Sequence, residues 1–113
     1  MRKRCNWYIE VPKGQYIQLE FKYFDLGPDD TCHYEWLQIY KGGSSNSPTL
    51  TKKLCGTRMP KITVSGGNKL FLRWKSDDSK QYRGFNISVS VAGMYNLKHI
   101  YIRHKDFTFK INH

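Results

Sequence analysis

The sequence lacks any apolar run of about 18 residues, the length that a membrane-spanning helix needs. It also has little negative charge, because 9 Asp and Glu residues stand against 19 Lys and Arg, for a net charge of +10. No segment repeats apolar residues with the i, i+3, i+4, i+7 spacing of an amphipathic helix. These absences argue against membrane-spanning and helical folds. The 113 residues, of which 15% are aromatic, suit one domain with a packed core.

Cysteine is scarce, and its pattern excludes common metal sites. Cys5, Cys32 and Cys55 are too widely spaced for a CxxC zinc motif, and an odd count leaves at least one sulfur without an internal partner. The sequence contains neither the HExxH motif nor the G-x-S-x-G motif of hydrolases. His33 follows Cys32 directly and resembles a Cys-His catalytic pair. We nevertheless expect no enzymatic activity and no cofactor.

Alternation of apolar residues with polar or exposed residues dominates what is present. A period of two over four to eight residues is typical of strands with one buried face. It occurs in six segments, each bounded by turn residues: 7–11, 17–21, 37–39, 62–64, 70–74 and 85–91. Lys69, Arg73 and Lys75 fall on the outward face of the fifth. The pattern predicts an all-β fold of two antiparallel sheets packed face to face.

The order of several short motifs resembles that of a CUB domain. The motifs are Cys5-x-Trp7-x-Ile9 with Gly14, Phe24-Asp25-Leu26, Cys32 followed by Trp36-Leu37-Gln38-Ile39-Tyr40, Leu54-Cys55-Gly56, Ser76-Asp77 and Gly84-Phe85. The resemblance covers residues 5–91 and implies a jelly-roll β-sandwich. It also implies a secreted or cell-surface module that binds an extracellular protein, as part of a larger protein. Residues 92–113 are then a basic C-terminal extension.

The resemblance assigns roles to the cysteines. It implies a disulfide between Cys32 and Cys55, and therefore an oxidising compartment. The family's first cysteine lies upstream of the C-x-W motif and pairs with the residue equivalent to Cys5, but residues 1–4 contain no such partner. We therefore expect Cys5 to be a free thiol or to link two chains.

The first strands of the family are also missing here, which would leave a sheet edge or an apolar face uncovered, and an uncovered edge is open to dimerisation. Two interpretations of residues 107–111 stay open. Their alternation fits an extra strand along that edge, and a frayed linker is the alternative.

The resemblance also raises the question of calcium, which many CUB domains bind through three carboxylates. The matching positions here are Gly27, Glu35 and Asp77. One carboxylate is lost outright and a second is lengthened, so no calcium site is expected. Glu35 and Asp77 are then interpreted as solvated loop carboxylates.

Several surface features suggest partners. Lys52, Lys53, Arg58 and Lys61 place four positive charges within ten residues, so binding of heparin-like or other anionic glycans is the alternative function. RNA binding is less favoured, because the helices of an RNA-recognition fold are absent. An OB-like barrel that binds nucleic acid stays open as a third alternative. Asn86-Ile87-Ser88 is a glycosylation sequon whose Asn86 should face outward.

The alternation also places Trp36 and Tyr40 opposite the buried Leu37 and Ile39. They are expected either to form an exposed aromatic pair that suits a binding surface or to be covered by the opposite sheet or by a neighbouring chain.

Overall fold

The computed structural model describes residues 2–28, 30–77, 82–92, 101–104 and 111–112, which form eight strands and no helix. The strands are β1 (Arg2–Glu10), β2 (Ile17–Asp25), β3 (Trp36–Tyr40), β4 (Thr63–Val64), β5 (Lys69–Asp77), β6 (Gly84–Val91), β7 (Tyr101–His104) and β8 (Ile111–Asn112). The six segments with alternating apolar residues correspond to β1–β6. Among the described residues, no helix is long and apolar enough to cross a membrane.

The strands form two four-stranded sheets. Sheet A has the order β3-β5-β1-β7, and sheet B has the order β4-β2-β6-β8. Neighbouring strands are antiparallel except for β6 and β8, which are parallel. The predicted antiparallel β-sandwich is therefore confirmed.

The core lies between the sheets and follows directly from the alternation. In β1, β2, β3, β5 and β6, alternate side chains turn inward, so both sheets contribute rows of buried residues. The buried face expected for residues 62–64 is not found, because Ile62 and Val64 are 57% and 47% exposed. The ring of Phe85 lies at the centre of the aromatic part, with its centroid 5.8 Å from that of Trp7, 6.3 Å from Trp74 and 6.5 Å from Phe21. Each edge-to-face contact contributes about 0.5–1.5 kcal/mol beyond burial. Phe85 thus joins the two sheets.

A β-bulge in β2 changes which side chains face the core. The register with β6 shifts between Phe21 and Tyr23, so Phe21 and Phe24 are both buried although they are three residues apart. Their rings pack edge to face at 5.6 Å. After the bulge, alternate residues again face the core, and the last of them is Leu26, which is 2% exposed. The burial of Leu26 fixes the start of the next loop.

The β3 edge of sheet A is covered by the segment of the chain that follows β3. Residues 49–54 run beside β3, where Leu37 and Leu54 exchange backbone hydrogen bonds of 2.8 and 2.7 Å. The Leu50 amide donates to the Ile39 carbonyl at 2.7 Å. Because these bonds satisfy backbone groups of β3, the edge is not open to strand pairing at these positions.

The C-terminal extension contributes to both sheets. β7 pairs with β1, with Ile102 opposite Ile9, and β8 pairs with β6, with Ile111 opposite Ile87. The strand at β7 was not expected. Of the proposed extra strand, residues 107–110 lie outside the described part of the chain, and Ile111 lies along sheet B. Placement of residues 107–111 along a vacated edge stays a prediction.

Candidate functional site

One end of the sandwich is fixed by the disulfide between Cys32 and Cys55, whose Cα atoms are 5.4 Å apart. We call the loop of residues 26–35 together with residues 55–59 the disulfide end. The Leu26 amide donates a 2.9 Å hydrogen bond to the Gly56 carbonyl, which ties the two segments together at a second point. Cys32 has φ 61°, a backbone conformation that is costly for residues other than glycine.

The disulfide end presents large apolar side chains to solvent. Tyr34 lies two residues after Cys32 and is 62% exposed, and Met59 lies four residues after Cys55 and is 47% exposed. The remaining large exposed apolar residues among those described are Tyr16, Ile62 and Val64. Tyr34 and Met59 are therefore displayed next to a covalently fixed part of the fold.

Glu35 is not a solvated loop carboxylate, so that interpretation is wrong. It is 6% exposed, and its Oε2 accepts a 3.2 Å hydrogen bond from the Trp74 indole N–H. The longer side chain of Glu allows a loop residue at the start of β3 to reach an inward-facing residue of β5. Glu35 thus satisfies a buried donor, which is a structural use of the carboxylate.

Gly27 occupies a position that a side chain would not fit. Its φ is +93°, and an added Cβ would lie 2.5 Å from an atom of the Tyr82 ring. The Gly27 amide donates to Asp25 Oδ1 at 3.1 Å, which stabilises the turn. The ring of Tyr82 therefore lies where the family's first calcium carboxylate would begin.

These contacts do not fit a calcium site. A carboxylate at position 27 would displace Tyr82, and the carboxylate of Glu35 is turned toward Trp74. The side chain of Asp77 lies outside the described part of the structure. In that part of the chain, no group of three or more His, Cys, Asp or Glu residues could hold a metal ion.

Lys52, Lys53, Arg58 and Lys61, the predicted basic patch, are all exposed. They lie on the segment that leaves β3 at the edge of sheet A and reaches β4 at the edge of sheet B, and their use as a glycan site stays a prediction. Lys53 lies against the outer side of sheet A, because its Nζ lies 4.5 Å from the centre of the Trp36 ring.

Trp36 and Tyr40 lie on the outer side of sheet A but are not an exposed pair. They are 9% and 8% exposed. Lys53 covers Trp36, and the Tyr40 ring packs against Phe71 at 5.9 Å. The expectation of an exposed pair is therefore wrong. The two residues are covered, but by a loop residue and a residue of the same sheet rather than by the opposite sheet or a neighbouring chain.

Sequence reasoning missed the cluster that the register of sheet A creates. Lys75 lies opposite both Arg4 and Trp36, and Arg73 lies one row further along the same face. We call Arg4, Lys53, Arg73 and Lys75 the basic face. The outward side of β5 could be read from the alternation, but its pairing with β1 could not, because that contact is distant in sequence.

The sequon lies on the opposite side of the molecule from the basic face. Asn86 is half-buried on the outward side of β6, opposite Tyr23 in register. Arg83 stacks over the Tyr23 ring at 4.5 Å. A glycan on Asn86 would project from sheet B.

Cys5 is fully buried on the inward side of β1, opposite Trp74 in register. Its covalent state stays a prediction. A link from Cys5 to a second chain would require the sandwich to open, because no part of the side chain reaches solvent.

A family model described as "CUB domain" matches residues 1–89 of the chain. Tolloid-like protein 1 of Homo sapiens is 38% identical over 89 residues, covering 79% of this chain and 9% of that protein. Exoskeleton protein RP43 of Riftia pachyptila is 43% identical over 90 residues, covering 79% of this chain and 21% of that protein. Cubilin of Sus scrofa is 37% identical over 89 residues, covering 78% of this chain and 2% of that protein.

The fold also matches a solved structure, the CUB1-EGF-CUB2 domain of human MASP-1/3. The TM-score is 0.61 at 20% sequence identity, covering 93% of this chain and 36% of that chain. At this identity the likeness shows the fold alone. The family model matches most of the chain and agrees with the sandwich and its disulfide, so the chain belongs to the CUB domain family.

Proposed function

We propose that this CUB domain is an extracellular, non-catalytic module that binds a protein partner at its disulfide end. The Cys32–Cys55 bond supports an oxidising compartment, since such bonds persist mainly in secreted and surface proteins. The curated relatives are much longer than this chain. A single small sandwich matching a short part of such proteins suits a binding unit within a larger architecture.

The observation that carries the proposal is the display of Tyr34 and Met59 beside the disulfide. Loops on a rigid scaffold commonly carry binding residues, and tyrosine is enriched among the residues that dominate binding energy. The disulfide and the Leu26–Gly56 hydrogen bond limit the motion of these loops. A partner that buries Tyr34 therefore loses less conformational entropy than one that must first order a flexible loop.

The absence of catalysis is supported by the state of the Cys-His pair. The Cys32 sulfur is part of the disulfide and is not available as a thiolate nucleophile. Nδ1 of His33 forms a 2.7 Å hydrogen bond with the Thr31 hydroxyl, which gives the ring a local structural contact.

Photo-crosslinking on living cells tests the proposed docking end. A photoreactive phenylalanine analogue replaces Tyr34. In the matched control it replaces Tyr16, which is 48% exposed and directly precedes β2, whereas the disulfide end follows the last residue of that strand. We expect a discrete protein adduct from position 34 that Met59→Ala weakens, and none from position 16. Equal labelling from both positions, or none from position 34, would contradict the proposal.

The extracellular setting has its own test. Expression through a secretory pathway should yield a chain with the Cys32–Cys55 bond and a glycan on Asn86. Intact mass before and after enzymatic deglycosylation measures the glycan, with Asn86→Gln as the control. A secreted chain in which Cys32 and Cys55 remain thiols would count against the proposed extracellular setting, because an oxidising compartment should close the bond.

A further inference from the structure

The basic face forms a continuous line of cations across sheet A. In one row, Lys53 lies over Trp36 of β3, Lys75 follows on β5, and Arg4 follows on β1. Arg73 lies two residues from Lys75 on the same side of β5, about 7 Å along the strand. Two adjacent strands and one loop thus bring together charges that are far apart in the sequence.

Little negative charge opposes this face. Glu10 is on the same side of β1 but three rows away from Arg4, and its Oε1 accepts a 2.7 Å hydrogen bond from the Tyr8 hydroxyl. Beyond Lys75, the register places Arg2 opposite Asp77. Within the described chain, no ion pair involves the four cations, so the surface attracts anions.

The middle of the face also contains unsatisfied polar atoms. Asn6 and Arg73 are directly opposite in register, and neither Asn6 Oδ1 nor Arg73 Nε has a hydrogen-bond partner among the described residues, although both atoms are buried. Such atoms are few in native proteins, and each costs about 1–3 kcal/mol when left unmatched. A ligand bearing both hydroxyl donors and anionic acceptors can match both atoms once the two side chains rotate outward.

We propose that the outer face of sheet A binds a sulfated glycan chain through Arg4, Lys53, Arg73 and Lys75. The line of cations suits an extended polyanion, and the Asn6–Arg73 pair favours a ligand that combines sugar hydroxyls with sulfates. The choice of a glycan over a nucleic acid rests on the proposed extracellular function. The site shares Lys53 with the loop patch predicted from the sequence but otherwise uses different residues.

The test measures binding of a size-defined heparin oligosaccharide to the purified chain at about 50 mM salt. The chemically desulfated oligosaccharide and a single-stranded DNA of similar charge serve as competitors. Arg73→Gln and Lys75→Gln are each expected to weaken binding roughly three- to fivefold, and the double variant about tenfold. The matched control, Lys52→Gln with Arg58→Gln, removes the same charge from the loop and should have less than a twofold effect.

Arg73 is half-buried, so its variant is checked by near-ultraviolet circular dichroism. Arg4→Gln with Lys53→Gln gives an independent pair of changes at exposed residues. The proposal is overturned if the loop variant weakens binding as much as the face variants, if the desulfated sugar binds equally, or if the DNA competes as well as heparin. The outcome is independent of the crosslinking at Tyr34. Failure of either experiment therefore identifies which proposal is wrong.

Discussion

Gly27→Ala should be much more destabilising than an ordinary glycine substitution in this chain. A left-handed backbone costs an L-residue about 1–2 kcal/mol, and the stiffer unfolded chain offsets roughly 0.4–1 kcal/mol of that. The new Cβ would also meet the Tyr82 ring at 2.5 Å. Moving the ring into solvent forfeits roughly 1–2 kcal/mol of apolar contact. The expected loss of unfolding free energy is therefore about 2–3 kcal/mol.

Gly14 supplies a matched control. Its φ is +86°, but nothing lies within 4 Å of an added Cβ, so Gly14→Ala measures the backbone cost without the clash. We expect that variant to lose about 1 kcal/mol, or roughly 5 °C of melting temperature, against roughly 10–15 °C for Gly27→Ala. Urea unfolding followed by tryptophan fluorescence gives the free energies, and thermal circular dichroism gives the melting temperatures.

A double-mutant cycle with Tyr82→Ala isolates the contact. In that background, Gly27→Ala should cost no more than Gly14→Ala, within about 0.5 kcal/mol, because only the backbone term remains. Equal costs for the two glycine substitutions in the wild-type background would refute the view that Tyr82 fills the space above Gly27. Such a result would also weaken the physical argument against a calcium carboxylate at this position.

Three further predictions concern the same end of the molecule. Replacing both Cys32 and Cys55 by Ser should lower the unfolding free energy by about 3 kcal/mol, since the bond spans a sequence separation of 23 residues; a loss below about 1 kcal/mol in urea unfolding would contradict this. Glu35→Ala should cost about 1–3 kcal/mol by leaving the Trp74 indole N–H unmatched, and Glu35→Gln should cost less because its amide oxygen still accepts; equal losses for the two variants would argue against the hydrogen bond. Adding about 2 mM Ca²⁺ in place of EDTA should leave the melting temperature unchanged, whereas a site with a dissociation constant of about 1 mM would add roughly 0.6 kcal/mol.

The sandwich could be predicted because its signal is local. In β6, for example, Phe85, Ile87, Val89 and Val91 alternate with polar residues, and the structure buries all four. β7 was missed because Ile100, Tyr101 and Ile102 are consecutive apolar residues, which gives no period of two. Its pairing with β1 depends on a neighbour more than 90 residues earlier in the chain.

The site was harder to predict than the fold, because its residues come together only through pairing between strands that are distant in the sequence. The pattern showed that Lys75 faces outward, but not that Arg4 lies opposite it on the neighbouring strand. Glu35 was expected in solvent because it precedes a strand in a polar loop, and only the packed structure shows that Trp74 lies within reach. Gly27 is the counterexample, since a glycine in place of a carboxylate already suggested that the position lacks a metal ligand.

The contact between Lys53 and Trp36 gives the molecule a built-in optical reporter. Of its three tryptophans, Trp7 and Trp74 pack on Phe85 in the interior, while Trp36 lies beneath a lysine on the surface. An event that draws the ammonium group away from the Trp36 indole should change the emission of that one residue and leave the two interior indoles as they are. Loss of the fold should change all three, so a single spectrum can separate surface occupancy from denaturation.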